Sequence, residues 1–151
     1  MLPDVPEPTG PMNGAHPGED SVQLSVPAAT ASLRVVRLVA ASLAADLEFG
    51  VEEIEDVRVA VDELAAVLLD SAEPNGDGPD LGRLEVLYEV EGAELRVRGT
   101  CDAPAEGEEP VVHEVAAELL SLLTDGYEVG AEDGRRWFRL RRSHRVDSDE
   151  G

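Results

Sequence analysis

In the stretch EDVRVAVDELAAVLLDSA, residues 55–72, Glu63 is a carboxylate suited to take a proton, and Val67 follows it four residues later. Residues four apart on a helix point the same way, so both look into the same neighbouring space. A general base needs that kind of reach toward the proton it removes. A solvated helical glutamate is the plainer account of the same residue. Asp56 and Asp62 read as solvated charges in either case. Val67 carries no oxygen, so it offers nothing to a hard cation such as magnesium.

Two other groups have chemical possibilities. Arg34 and Arg37 stand within the otherwise apolar or neutral run SLRVVRLVAASL, either to meet a partner or to lay their stems along the helix with the heads in water. Asp102, before Ala103-Pro104, reads as a turn-forming aspartate. The run RRWFRLRRSHR, residues 135–145, holds six of the twelve arginines. Strand alternation puts Phe138 and Leu140 on one face and Trp137, Arg139 and Arg141 on the other, where the arginines answer an acidic surface. His16, His113 and His144 are far apart and make no ligand motif, so no metal is assigned.

The elements that must position these groups follow from periodicity. Val22, Leu24 and Val26 alternate as a first strand stopped by Pro27. A helix follows from about Thr30, with Leu33, Val36, Ala40, Leu43 and Leu47 as its stripe and Gly50 separating it from the next. The second helix buries Ile54, Val57, Val61, Leu64, Ala65 and Leu68. Residues 73–82 are a loop dense in turn formers. Leu84 to Val90 and Leu95 to Val97 then form a hairpin turning at Glu91-Gly92-Ala93. A third helix spans roughly 110–125, with Val112, Val115, Leu119, Leu122 and Leu123 as its stripe. Tyr127 to Val129 and Arg136 to Arg142 are strands joined by the Asp133-Gly134 turn. Helices gathered on one face of a mostly antiparallel sheet make an α/β two-layer sandwich. Residues 1–20 read as a disordered acidic Pro/Gly-rich arm, 21–143 as the domain and 144–151 as a flexible tail.

At 151 residues the chain is one domain with a single core. With 33 acidic residues against 12 arginines and no lysine, the formal charge is −21, which disfavours nucleic acids and anionic membranes and favours a basic protein partner. Lone Cys101 makes no internal disulfide, and no apolar run has the length of a signal core or membrane span, so the expectation is a cytoplasmic protein.

Residues 22–142 resemble the small anti-sigma-factor serine kinases of bacteria, the RsbW-like family of the Bergerat-fold (GHKL, histidine-kinase-like) ATPase superfamily. The resemblance rests on Ala60-Val61-Asp62-Glu63 within a family segment A-V-x-E-x-x-x-N-A-x-x-H-A. It implies that Glu63 is the general base. Val67 stands where the family has its magnesium-ligating Asn, and Ser71 where it has His. The family's Asp-x-Gly-x-Gly landmark is here Arg98-Gly99-Thr100-Cys101-Asp102, with one Asp and one Gly in altered order, which leaves Asp102 as the adenine candidate. The glycine-rich lid is reduced to Gly107 among Glu106, Glu108 and Glu109, carboxylates that repel a triphosphate. The family's sigma-contacting arginine in the first helix corresponds to Arg37 by an ungapped count.

The resemblance therefore implies an anti-sigma-type protein that sequesters a sigma factor and answers to an anti-sigma antagonist, with MgATP bound weakly or not at all. The rival expectation is an active ATP-dependent serine kinase acting on an anti-anti-sigma partner with Glu63 as base. Phosphoryl transfer depends on metal and phosphate positioning, which the landmarks supply poorly. A scaffold without a sigma factor is a third possibility, and a homodimer stays open.

Overall fold

The computed structural model describes residues 21–70, 82–102 and 109–144. Ser71, Gly107, the 1–20 arm and the 145–151 part of the expected tail lie outside them. In chain order the elements are β1 (Ser21–Pro27), a 3-10 turn (Thr30–Ser32), α1 (Leu33–Asp46), α2 (Val51–Asp70), β2 (Arg83–Glu91), β3 (Glu94–Cys101), α3 (Glu114–Leu123), β4 (Gly126–Glu132) and β5 (Arg135–Ser143). The five strands form one antiparallel sheet in the order β1-β2-β3-β5-β4. This is the α/β two-layer sandwich expected from the pattern.

Alternation decides which side of each strand enters the core. Leu84, Val86 and Tyr88 of β2, Leu95 and Val97 of β3, and Phe138 and Leu140 of β5 are buried together against the helices. From above, α1 contributes Leu33, Val36, Ala40 and Ala44, and α2 contributes Val57, Ala60, Val61, Leu64, Ala65 and Leu68. The Tyr88 hydroxyl donates to the Val36 carbonyl at 2.9 Å, tying sheet to helix. Burial pushes the Tyr88 phenol well above its ordinary pKa. Gly99 pairs directly with Phe138. A Cβ there would lie 2.3 Å from the Phe138 ring, so glycine is what lets the ring cross the strand. Asp133 and Gly134 both have positive φ, +57° and +78°, the backbone of the tight turn their sequence announced.

The α1–α2 junction falls at Gly50 as read, with a cap on each side of it. Glu48, not Gly50, takes the left-handed position after α1, at φ +66°. Phe49 N–H donates to the Ala44 carbonyl and Glu48 N–H to the Ala45 carbonyl, the bonding of a Schellman cap. Gly50 instead precedes α2, where its N–H donates to Glu53 Oε1 at 2.8 Å, half of a capping box. The glycine marks the boundary, and the left-handed turn that ends α1 falls two residues before it.

The third helix departs from the sequence reading. It is shorter than expected, and Leu120 is its one fully buried residue. Val112 and Leu123 pack against the core, whereas Val115, Leu119 and Leu122 face solvent. Helical spacing was right there, but it does not say which side of a helix meets the sheet.

Candidate functional site

The C-terminal half of α2 carries Glu63 and Val67, and the end of β3 carries Asp102. Glu63 is half-buried and makes no hydrogen bond or ion pair within the described residues. Val67 is buried but does not join the main apolar cluster. Asp102 is exposed, and its Oδ1 accepts the Arg83 N–H at 2.8 Å while its own N–H donates to the Arg83 carbonyl. That reciprocal pair closes the end of the β2–β3 ladder, so one carboxylate oxygen of the aspartate is engaged in holding two strands together.

Between α2 and the end of β3 lies a residue to which the sequence analysis gave no role. Arg136 of β5 is on the inner face of the sheet and only 2% exposed. Its Nε donates to the Leu68 carbonyl near the end of α2 at 3.2 Å, and one terminal nitrogen lies 3.4 Å from Cys101 Sγ. A cation beside the carbonyl end of a helix is favoured by the helix dipole. The guanidinium thus fills the seam between the two landmarks, α2 and the Cys101–Asp102 strand end. Its position on the Phe138–Leu140 face was available from alternation alone. Nothing in the local sequence announces the Leu68 carbonyl and Cys101 as its partners.

Arg142 repeats the arrangement at the other end of β5. It is buried, and one terminal nitrogen contacts Asp56 Oδ2 at 3.1 Å and the Leu123 carbonyl of α3 at 2.7 Å. The other lies 3.9 Å from Glu53, whose Oε1 is also 2.9 Å from His144 Nδ1. The His144 ring stacks on Phe49. Asp56 is therefore no free solvated charge but one member of a cluster that joins α2, α3 and β5.

Asp62 is likewise engaged. It pairs with Arg37 of α1 at 2.9 Å, both side chains about one-third exposed. The pair turns the Arg37 head along the α1–α2 seam. Arg34, one turn earlier, is exposed and stands beside the exposed apolar pair Val35 and Leu38. These three make a small outward face of α1 that Arg37 borders.

The opposite face of the sheet holds a groove of about 490 Å³ whose walls include Arg96, Arg98, Arg139 and Arg141. It is remote from Glu63 and Asp102. Its arginines are matched by carboxylates: Arg96 bonds Glu94 at 2.8 Å, Arg139 pairs with Glu128, and Arg98 and Arg141 lie 4.0 and 3.7 Å from Glu89 and Glu94. These are the arginines that answer an acidic surface. No helix among the described residues is long and apolar enough to cross a membrane.

No protein-family model matches the chain, and no curated protein matches it. Among solved structures it is similar to the crystal structure of the RsbU and RsbW domains of Rv1364c from Mycobacterium tuberculosis. The TM-score is 0.62 at 14% identity, over 82% of this chain and 32% of that one. The likeness is one of fold. The chain spans about a third of that neighbour's length.

Proposed function

We propose that this chain is a regulatory binding module of the anti-sigma kind, which sequesters a sigma factor through its surface and has little or no use for nucleotide. The observation that carries the reading is the Arg136 guanidinium, bonded between Leu68 and Cys101 in the seam where the resemblance sets the nucleotide. Evicting a buried, hydrogen-bonded side chain costs the site its partners before any ligand is bound. Val67 adds no metal ligand, and Asp102 commits one carboxylate oxygen to Arg83. The kinase alternative keeps only Glu63, which has no partner among the described residues to orient it.

The fold likeness to a protein bearing RsbU and RsbW domains supports partner switching as the setting. So does the charge of −21, which attracts the basic surfaces of DNA-binding partners at long range and speeds their association. On α1, Arg34 with Val35 and Leu38 supplies the contact face, and Arg37 is braced against Asp62 at its edge.

Surface plasmon resonance against a panel of bacterial sigma factors tests this reading. Wild type is expected to bind, Arg34→Glu and Leu38→Ser to raise the off-rate, and added salt mainly to lower the on-rate. Absence of binding, or transfer of radiolabelled phosphate from ATP to an anti-anti-sigma protein, would overturn it.

A further inference from the structure

The third helix exposes more apolar surface than the fold explains. Val115 is 79% exposed, Leu122 76% and Val111, in the lead-in to the helix, 64%; Leu119 joins them at the same edge. Val115, Leu119 and Leu122 stand at i, i+4 and i+7, so their side chains form one continuous ridge. On an ordinary surface helix the apolar stripe faces the core and the polar residues face water. Here Leu120, Val112 and Leu123 already make the core contact, and a second stripe is left over. Contiguous exposed apolar surface of this kind marks a contact site.

The rim identifies the occupant. Glu114 and Glu118, themselves i and i+4, run along one side of the ridge, exposed and without an ion pair among the described residues. Elsewhere on the molecule arginines are routinely met by carboxylates; these two glutamates are not met. Glu109 in the lead-in adds a third exposed acid, and the sequence has no arginine from 99 to 134. An apolar ridge edged by uncompensated acid fits a partner helix with apolar anchors flanked by lysine or arginine. A second copy of this chain fits poorly, because two proteins of charge −21 would bring their glutamate rows together.

We infer that the Val111–Leu122 face of α3 is a docking surface for a basic amphipathic helix of a protein partner, separate from the outward face of α1. The inference deepens the regulatory reading and rests on it for the partner's biological role, though not for the surface itself. A two-surface module of this kind could hold one partner at α1 while a second docks at α3.

The test uses the full chain and two labelled synthetic peptides in fluorescence anisotropy: a Leu/Lys amphipathic helix and a Ser/Lys peptide of equal charge. Wild type is expected to bind the Leu/Lys peptide at least about tenfold more tightly, since apolar anchors carry most of such contacts. Val115→Ser with Leu122→Ser is expected to erase that preference with the melting temperature unchanged, and Val35→Ser with Leu38→Ser to preserve it. Equal binding of the two peptides to wild type would reduce the effect to net charge and overturn the inference. A preference that survives the α3 double substitution would do the same. So would self-association in sedimentation that this substitution abolishes, because the ridge would then belong to a second copy. Loss of preference in the α1 variant alone would move docking to α1 and leave the regulatory reading standing. Failure of the sigma-factor experiment would leave the peptide result untouched.

Discussion

The two faces of β5 carry the same residue in opposite circumstances. Arg139 and Arg141 lie on the open face, more than half exposed, with carboxylates of β4 and β3 as partners. Arg136 and Arg142 lie on the inner face, nearly sealed; both bond helix carbonyls, and Arg142 also meets Asp56. The outer pairs sit in high dielectric and contribute little. The inner pair has been taken out of water, so each lost contact leaves a buried group unsatisfied. The comparison teaches that the position of an arginine in the strand period, more than its presence in a basic run, decides its role. The inner pair clamps α2 and α3 onto the sheet, and one of the two closes the seam of the expected nucleotide site.

The largest effect is expected at Arg142. Arg142→Ala strands Asp56, Glu53 and the Leu123 carbonyl together, and about 3 kcal/mol of stability should be lost in urea denaturation. A loss no greater than at the open face would break the comparison. Arg136→Ala should cost about 2 kcal/mol by the same measurement, through the unpaired Leu68 carbonyl and the space left in the seam.

Tyr88, another inner-face polar group, sharpens the contrast by pH. Its phenol is held protonated in the fold, while an unfolded tyrosine ionises near pH 10. The unfolded state then binds fewer protons, so stability should be intact below about pH 10 and fall as pH rises above it. Tyr88→Phe should lose about 1 kcal/mol at neutral pH, with its bond to Val36, and show a flatter alkaline limb in thermal melts. The smallest effect belongs outside: Arg139→Ala should shift stability by less than about 0.5 kcal/mol.

Much of the fold was legible because it rests on local periodicity. The Leu84-Val86-Tyr88 alternation, the α2 stripe from Val57 to Leu68 and the Asp133-Gly134 turn each dictate an element without knowledge of its neighbours. The site was less legible, because its decisive contacts join residues far apart in sequence. Nothing near Leu68 announces that Arg136 will bond its carbonyl, and nothing near Asp62 announces Arg37. The outward stripe of α3 was visible as a pattern, but a pattern gives spacing and not direction. The αL position at Glu48 was hidden because a glutamate carries no local signal for it.

The central claim is that the seam between α2 and the end of β3 belongs to Arg136 and not to a nucleotide. Isothermal titration of the wild-type chain with MgATP addresses it directly. The account predicts no saturable binding tighter than about millimolar, a free energy of only about −4 kcal/mol. A magnesium-dependent dissociation constant in the low micromolar range would contradict it and restore the kinase.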